Sequence, residues 1–511
     1  MAAQHKTPGV YIQELNAFPN SVVEVATAVP AFIGYTEKAV RGNKSLTNIP
    51  TRISSLREYT DYFGGAPKPS FTWGSTALPE LPTVVPETSF YLYYSLRLFF
   101  DNGGGPCYIV SVGGYSDPAD KTKPNPKKKD DLIAVLAELV KEPEPTMVVI
   151  PDAVLLPTVD DWAAVSDQVL QHCIKMQSRI AIFDVFQGNK AQTHDAEDVI
   201  TGANGFRAKS PNDNLSYATA YYPWLETSIV DAGDVDYSYI AEKDRGTLAT
   251  EGQNEAKARF PDENGVANPK AVQLTELWEK IKTIEDSDEG KLTLKRTHQA
   301  LNEVSETYRN VMAAIRNSLN LLPPSGAMAG VYTRIDNTIG VFKAPANTGV
   351  SSVFAPAVNI THDEQEDLNI PLNGKSINAI RSFPGRGVLI WGARTLDGNS
   401  QDWRYINVRR TLIMLEQSIK MAAQAFVFEP NSAATWVTVK NTIGNYLTNK
   451  WKEGALVGAA PIEAFSVDVG LGTTMTADDI LDGSMLVTVK VAVVRPAEFI
   501  VITFQQKMQT S

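Results

Sequence analysis

The stretch from Ile377 to Arg410 reads INAIRSFPGRGVLIWGARTLDGNSQDWRYINVRR, and it decides how the chain is interpreted. It is rich in arginine, large aromatics and glycine, and it contains no His or Cys that could complete a nucleophile–base pair. Guanidinium groups and large aromatics are the usual anchors of protein–protein contacts. We therefore predict a surface that binds protein partners, although each residue could instead pack a glycine-rich loop over a core. The residues concerned are Arg381, Arg386, Arg394, Arg409 and Arg410 among Trp391, Trp403 and Tyr405.

The segment after Arg404 has the clearest helical pattern of the chain. Its apolar residues recur every three or four positions and predict one stripe, with Arg409 and Arg410 pointing away from it. A second helix is predicted after Pro430, with Asn431 or Ser432 as its cap. The stripe of the first helix consists of Val408, Leu412, Leu415, Ile419, Ala422 and Phe426.

Three strand-like runs close the chain, at Ala464–Val469, Met485–Val494 and Glu498–Phe504. The last run is apolar on both alternating faces, so an isolated strand there would be an aggregation hazard unless another sheet received it. The first twenty-five residues contain Pro8, Pro19 and short β-prone pieces, and they predict an extended arm.

The middle of the chain alternates between strand and helix patterns. Buried strands are predicted at Cys107–Val112, Thr146–Ile150 and Ile180–Phe186, with a helix capped by Asp130 and a helix carrying Trp162 between them. Such a βαβαβ unit implies a parallel sheet covered by helices on both faces, with right-handed crossovers.

Composition excludes several classes of function. The formal net charge of -11, without a long basic patch, argues against nucleic-acid binding. Two cysteines, Cys107 and Cys173, form no disulfide framework and indicate reduced, cytoplasmic folding. The N-terminus has no signal-peptide pattern, and no apolar stretch is long enough to span a bilayer, so no membrane contact is expected. A chain of 511 residues should form two or more domains.

Several blocks, in this order along the chain, resemble the contractile tail sheath proteins of myophages, R-type pyocins and related injection particles. The stretch Ile377–Arg410 is one of the segments that carry this resemblance, and six further blocks carry the rest. Those blocks are NGGGPCYIVSV (102–112), YYPW (221–224), PPSGAMAGVYTRIDNTIGVFKAPAN (323–347), FEPNSAATW (428–436), GALVGAAPIEAF (454–465) and RPAEFIVITF (495–504).

The resemblance implies an α/β and α+β multidomain fold with a central parallel βαβ domain, often described as subtilisin-like, and extended terminal β arms. Residues 225–320 are expected to be an insertion, with a helix that carries Leu301, Val304, Tyr308, Val311 and Ile315; an integral extension of the core is the alternative. The expected division is an N-terminal linking arm (1–25), the N-terminal part of the core (26–101), a middle α/β domain (102–365), a C-terminal sheath domain (366–495) and a C-terminal linking strand (496–511).

The resemblance also implies a function: a structural subunit, with no enzyme activity, cofactor or metal. It would form hexameric rings around an inner tube and contract to drive that tube through a target envelope. Expected partners are other copies of the chain, the inner tube, the baseplate and the terminator or cap proteins. The particle would assemble in the bacterial cytoplasm and be released as a phage tail or an extracellular contractile particle such as a bacteriocin. A surface-layer or capsid-like lattice protein is the alternative structural class.

The terminal segments supply a mechanism for such an assembly. If both arms add strands to sheets of neighbouring copies, backbone pairing links the copies into a mesh. Asn16–Asn20 and Pro496 are the expected hinges. Contacts with the tube should be weak and polar, and Lys440, Lys450 and Lys452 are the candidates, although they could equally form a solvated helix flank. The linking candidates are Val10, Tyr11, Ile12, Val22, Val23, Phe499, Ile500, Val501, Ile502 and Phe504.

Three motifs have features of chemical sites. Asp152, His172 and Ser325 follow the subtilisin order, but Ser325 succeeds two prolines and His172 lies on the polar flank of a helix, so protease chemistry is not expected. NGGG (102–105) precedes a strand and lacks the Lys-Ser/Thr ending of a phosphate loop, so it predicts a tight turn. The acidic run His362–Asp367 lacks the spacing of a calcium loop and predicts a solvated loop.

Overall fold

The computed structural model describes residues 22–73, 84–86, 89–120, 123–262, 266–285 and 287–500. The chain forms two compact units. Of the described residues, the larger unit contains those within 26–410 and 496–500, and the smaller unit contains those within 22–25 and 411–495.

Within the described residues the strands, in chain order, are β1 Pro30–Thr36, β2 Val40–Arg41, β3 Lys44–Ser45, β4 Thr51–Ile53, β5 Phe71–Trp73, β6 Val84–Pro86, β7 Cys107–Gly114, β8 Met147–Val149, β9 Ile180–Asp184, β10 Ala218–Tyr222, β11 Leu225–Thr227, β12 Leu321–Leu322, β13 Thr348–Gly349, β14 Val353–Pro356, β15 Asn378–Phe383, β16 Gly387–Ile390, β17 Phe465–Val469 and β18 Val487–Val491.

The α-helices of the same residues are α1 Leu56–Phe63, α2 Leu92–Asp101, α3 Lys129–Ala134, α4 Leu136–Leu139, α5 Val159–Met176, α6 Phe206–Lys209, α7 Glu242–Arg259, α8 Pro269–Glu279, α9 Asp288–Val304, α10 Glu306–Leu319, α11 Ser325–Thr338, α12 His362–Asn369, α13 Ile406–Ala423, α14 Ala433–Lys452, α15 Pro461–Ala464 and α16 Ala477–Leu481. Short 3₁₀ helices lie at 151–155, 215–217, 232–234, 237–239, 280–282 and 424–426.

The larger unit is built on a mixed sheet with the strand order β13-β16-β15-β10-β9-β8-β1-β7-β4. Its six central strands, from β15 to β7, run parallel, and β4, β16 and β13 pair antiparallel at the two sides. Strands β1, β8, β9 and β10 are buried along their whole length. Continuous apolar strands of this kind require a cover on both faces. The predicted parallel strands are therefore confirmed as the central part of a larger, mixed sheet in an α/β fold.

Strand β1 was not predicted, and it changes the order of the sheet. It lies between β7 and β8, which the sequence pattern places next to each other in the chain. Its sequence, PAFIGYT, contains a proline and a glycine, which weaken the strand pattern. One face of β1 carries Ala31, Ile33 and Tyr35 into the core beneath α5, while the ring of Phe32 packs at 5.2 Å against Phe99 of α2 on the other face.

Helices α2 and α11 pack closely against each other on the second face of the sheet. The approach depends on two glycines in the PPSGAMAG block. A methyl group built on Gly326 would overlap the carbonyl oxygen of Ser95, and one built on Gly330 would overlap the carbonyl oxygen of Phe99. The NGGG turn follows α2 as predicted: Gly103 adopts a φ of +95°, and β7 begins at Cys107.

The region 225–320 folds mainly as helices α7 to α10. The predicted single helix from Leu301 to Ile315 is wrong, because Ser305 has an extended backbone and caps α10 through its side chain. Leu301 lies at the end of α9, and Val304 is 41% exposed. The helices enclose Trp278, Tyr308 and Leu248, which are fully buried.

Two further local predictions need correction. The acidic run His362–Asp367 is not a loop but most of helix α12, since Thr361 and Glu364 form a reciprocal capping box. The helix predicted to be capped by Asp130 is divided into α3 and α4; Lys128 occupies the N-cap position of α3, and Asp130 lies inside its first turn. Leu132, Leu136 and Leu139 of these two helices are buried.

The smaller unit is α+β. Ser432 occupies the N-cap position of helix α14 as predicted, but its side chain accepts no hydrogen bond from the first turn. The helix packs against the antiparallel pair of β17 and β18. The core of the smaller unit includes Val439, Ile443 and Val467. This unit begins at Thr411, later than the predicted C-terminal domain (366–495), because β15 and β16 belong to the large sheet.

Two findings concern the general properties of the chain. Cys107 and Cys173 are free, buried thiols. Among the described helices, none combines the length and the apolar character that crossing a membrane requires.

Candidate inter-subunit linking sites

The predicted linking residues divide into described and undescribed positions. Val10, Tyr11, Ile12, Val501, Ile502 and Phe504 lie outside the described residues. Val22 and Val23 precede the first strand, and Val23 is 65% exposed. Phe499 and Ile500 are 67% and 79% exposed at the other end. Four apolar side chains near the chain ends are therefore described, and three of them are largely exposed.

The C-terminal segment is held on the larger unit by Glu498. Nη2 of Arg394 donates to this carboxylate at 2.6 Å and Nε of Arg394 donates at 3.0 Å. The amide of Asn369 donates at 2.7 Å and the hydroxyl of Tyr405 at 3.1 Å. Burial alone would raise the pKa of Glu498, but the hydrogen bonds from Arg394, Asn369 and Tyr405 lower it below the ordinary value. We name this set the C-terminal attachment.

Arg394 is itself fixed by the sheet. The side chain of Asn378 on β15 accepts the backbone N–H of Arg394 at 2.7 Å and donates to its carbonyl oxygen at 2.7 Å. Nη1 of Arg394 donates to the carbonyl oxygens of Asn369 and Gly398. The side chain is 2% exposed, and each of its three nitrogens donates at least one hydrogen bond, so the guanidinium is pre-positioned for Glu498.

The N-terminal segment is held on the smaller unit by Glu24, whose carboxylate pairs with Nζ of Lys450 on α14. Lys450 also pairs with Glu453 at 2.6 Å. The backbone N–H of Val25 donates to the hydroxyl of Ser418 on α13 at 3.1 Å. Burial would lower the pKa of Lys450, but the hydrogen bonds to Glu24 and Glu453 raise it. We name this set the N-terminal attachment.

Arg410 ties together two further segments of the larger unit. Its guanidinium forms a bidentate pair with Asp336 at 2.9 and 2.6 Å and donates to the carbonyl oxygen of Thr27 at 3.0 Å. The hydroxyl of Thr27 donates to the same carboxylate at 2.6 Å. Both charged side chains are 5% exposed or less. The chain is thus fixed just after residue 26 and just before residue 411.

These contacts correct the prediction of an arginine-rich binding surface. Arg394 and Arg410 are buried in ion pairs, and Arg409 is buried between two rings, with its guanidinium carbon 3.6 Å from the ring centre of Trp403 and 4.2 Å from that of Tyr217. The helical pattern placed Arg409 and Arg410 on the outer side of α13, but all residues from Ile406 to Thr411 at the start of this helix are buried. Arg386 is exposed, and Arg381 is partly buried beside Gln365.

Strands β17 and β18 form a two-stranded antiparallel sheet. Its register runs from Phe465 opposite Val491 to Val469 opposite Val487. Within the described part of the chain, no third strand joins this sheet. Two-stranded sheets are marginal alone, and their free N–H and C=O groups are a template for further strands.

The lysines predicted to face a tube differ from one another. Lys440 and Lys452 are exposed on α14, whereas Lys450 is 8% exposed and belongs to the N-terminal attachment. The two exposed lysines have their charges available to a partner.

Asp152, His172 and Ser325 are not brought together as a triad. The carboxylate of Asp152 accepts the backbone N–H groups of Tyr35 and Tyr91. His172 contacts the guanidinium of Arg179, and burial lowers its pKa to about 4. Ser325 begins helix α11 and donates to Asp184. Among the described residues, no group of three or more His, Cys, Asp or Glu side chains could hold a metal ion.

Sequence reasoning missed both attachments. The signal for the first was a single glutamate, Glu498, in an otherwise apolar run; the signal for the second was Glu24 among valines and alanines. Neither has a partner within local spacing, because Arg394 and Lys450 lie far away along the chain.

Residues 399–507 match the family model of the phage tail sheath C-terminal domain. A tail sheath protein of Salmonella phage ViI is 26% identical over 155 residues, which are 30% of this chain and 24% of that protein. The chain therefore aligns with about a quarter of this curated relative.

Two solved structures resemble almost the whole chain. One is the helical sheath of the anti-feeding prophage in the contracted state, with 28% identity, a TM-score of 0.59, and coverage of 98% of this chain and 100% of that one. The other is the contracted sheath complex of the extracellular contractile injection system PVC, with 26% identity, a TM-score of 0.60 and 99% coverage of both chains. The predicted resemblance to contractile sheath proteins is confirmed.

Proposed function

We propose that this chain, which is similar to contractile sheath proteins over nearly its whole length, is a structural subunit of a contractile sheath. It would assemble as hexameric rings around an inner tube and shorten to drive that tube through a target envelope. The observation that carries the proposal is the full-length likeness to sheath subunits of two contractile injection systems. Further copies of the chain, an inner tube, a baseplate and a terminator or cap are the proposed partners. Assembly in the bacterial cytoplasm and release in a particle are part of the same proposal.

The two chain ends are the proposed links between copies. Exposed Val23, Phe499 and Ile500 support this role, since large apolar side chains at chain ends gain from burial in a neighbour. The open edges of β17 and β18 are a suitable place for added strands. An added strand with roughly six backbone hydrogen bonds, each contributing about 0.5 to 1.5 kcal/mol, would form a joint that survives movements of the compact units.

The contact with the tube is proposed to involve the exposed flank of α14. Lys440 and Lys452 are exposed there, and exposed charges give weak contacts that ionic strength and movement can break. Such contacts suit a sheath that holds its tube in one state and frees it in the other.

The test is assembly of truncated chains. One variant lacks residues 1–20, and another lacks residues 499–511, so that both attachments remain. Each should give folded, soluble monomers but no long sheaths on tubes, as judged by circular dichroism and negative-stain electron microscopy. Ordinary contractile cylinders from either truncation would contradict the linking role.

Imaging of the full chain tests the function itself. Striated cylinders support a sheath, flat lattices support a surface-layer protein, and discrete particles support neither. A peptidase assay that compares the chain with Ser325→Ala tests the hydrolase alternative, and equal background rates are expected.

A further inference from the structure

Both ends of the described chain are held by ion pairs, but the two pairs are built differently. At the C-terminal attachment, the side chains of Glu498 and Arg394 are 19% and 2% exposed. At the N-terminal attachment, those of Glu24 and Lys450 are 40% and 10% exposed. The first pair is therefore much better shielded from solvent ions than the second.

The number of partners differs in the same direction. Glu498 accepts hydrogen bonds from the side chains of Arg394, Asn369 and Tyr405, and the guanidinium donates two of them in a planar fork. Among the described residues, Glu24 is paired with the ammonium group of Lys450, and that group is shared with Glu453, which is itself half exposed. Loss of Glu24 leaves Lys450 with a remaining partner, whereas loss of Glu498 leaves a buried guanidinium without its carboxylate. Breaking the ion pair therefore costs less free energy at the N-terminal attachment than at the C-terminal attachment.

The two attachments also belong to different compact units. Glu24 and Lys450 lie in the smaller unit, and Glu498 and Arg394 lie in the larger unit. Each chain end thus leaves from a separate unit and is held there by that unit's own side chains.

We propose that the chain has one fixed and one releasable attachment: the C-terminal end leaves from a fixed point at Glu498, and the N-terminal end leaves from a point at Glu24 that opens first under strain or salt. The proposal rests on the linking role given to the chain ends above. It places the C-terminal hinge after Glu498 instead of at Pro496. It also implies that residues 22–25 detach from the smaller unit when neighbouring copies move.

Spin labels test this on the monomer. Cys107 and Cys173 are 0% exposed, so a label will react with a single introduced cysteine. Val23→Cys reports on the N-terminal attachment and Ala497→Cys on the C-terminal one; both positions are exposed. Between low salt and about 1 M NaCl, the mobile fraction at position 23 should rise severalfold, while that at 497 should stay constant, because buried pairs are screened less. Equal salt responses at the two positions would overturn the proposal.

Substitutions test the residues named. Glu498→Gln should raise the mobile fraction at position 497 about tenfold, since charge-assisted hydrogen bonds are among the strongest. Glu24→Gln should raise the mobile fraction at position 23 by a smaller factor, because its ion pair is more exposed, and should leave position 497 unchanged. Glu463→Gln, an exposed carboxylate of the smaller unit, is the matched control and should change neither label. An immobile label at 497 in Glu498→Gln would show that the carboxylate does not fix this segment.

The length of assembled sheaths is a separate measurement. Glu498→Gln should shorten the sheaths, and Glu24→Gln should leave their length unchanged. If Glu498→Gln gave sheaths of normal length although its label at position 497 was mobile, the role of Glu498 in linking copies would be refuted. If the unmodified chain forms no sheath, the proposed function fails, while the labels still decide whether the two attachments are unequal.

Discussion

The hydroxyl oxygen of Ser325 lies 2.5 Å from a carboxylate oxygen of Asp184, and both side chains are buried where helix α11 begins beside the end of strand β9. The backbone N–H of Ser325 donates to the same carboxylate at 2.8 Å. Burial raises the pKa of Asp184 to about 7, although the hydrogen bonds from Ser325 favour the charged form. The serine considered for catalysis thus joins a helix to the sheet.

This pair predicts a pH dependence of stability. Between the ordinary pKa of 3.8 and about 7, the folded chain keeps a proton at Asp184 that the unfolded chain has lost. The protonated Asp184 therefore makes its full contribution to the free energy of unfolding below pH 3.8, and this contribution is lost as the pH rises through about 7. The free energy of unfolding relative to Asp184→Asn should fall with pH by at most about 1.4 kcal/mol per pH unit in this window.

Denaturant unfolding at pH 4.5, 6 and 7.5 measures the difference. Asp478→Asn, at an exposed position of the smaller unit, is the control, and its stability should follow that of the unmodified chain at every pH. A difference between the chain and Asp184→Asn that does not change with pH would contradict the buried carboxyl group with its raised pKa.

Gly330→Ala should destabilise the larger unit, because the added methyl group meets the carbonyl oxygen of Phe99 where α11 crosses α2. Overpacking of this kind costs about 1 to 3 kcal/mol. Gly246→Ala on α7 is the matched control: nothing lies within 4 Å of its added methyl group, so it should be neutral or stabilising by up to about 1 kcal/mol. Thermal unfolding of both variants measures the contrast, and equal effects would show that the helices do not depend on this glycine.

Arg409→Lys should destabilise the chain although it keeps the charge. The guanidinium lies between the rings of Trp403 and Tyr217 and donates to Ser216, and an ammonium group does not reproduce this planar stacking. Cation–π contacts are worth about 0.5 to 2 kcal/mol each, so a loss on this scale is expected. Arg386→Lys, at an exposed position, is the control and should change the midpoint of denaturation little; a loss as large as that of Arg409→Lys would refute the special role of the stacked site.

Charge reversal on α14 should separate two roles of its lysines. Lys440→Glu and Lys452→Glu should weaken assembly on the inner tube without changing the mobility of residues 22–25, because both lysines are exposed. Lys450→Glu should free residues 22–25, because it places a negative charge beside Glu24 and Glu453. Co-sedimentation with tubes and a spin label at position 23 give the two readouts. Undiminished co-sedimentation of both exposed-site variants would eliminate these lysines as tube contacts.

Much of the secondary structure followed from local patterns. The strands β7, β8 and β9 and helix α14 were predictable because buried strands are apolar runs and because Ser432 marks a helix start. The break between α9 and α10 was missed because an apolar period continues through Ser305, where a cap overrides it. Strand β1 was missed because Pro30 and Gly34 weaken its pattern, although the sheet needs it in its interior, between β8 and β7.

The attachments could not be predicted in the same way. Arg394 and Glu498 are 104 positions apart, and nothing in their local spacing indicates the pair. Helical periodicity also assigned Arg409 and Arg410 to solvent, since periodicity identifies the apolar side of a helix but not whether other elements enclose its polar side. Long-range ion pairs of this kind become visible only when the fold brings distant segments together.

The position of β1 has a consequence for biosynthesis. This strand is made before both of its neighbours in the sheet, which end only at Gly114 and Val149. A ribosome-bound chain therefore carries an apolar segment that cannot take its interior place until more than a hundred further residues have been added. Pairing across such separations is slow compared with local helix formation. The part of the large sheet formed by β8, β1 and β7 should therefore close late during translation, and nascent chains that stall before Val149 should be the species that chaperones bind and proteases remove.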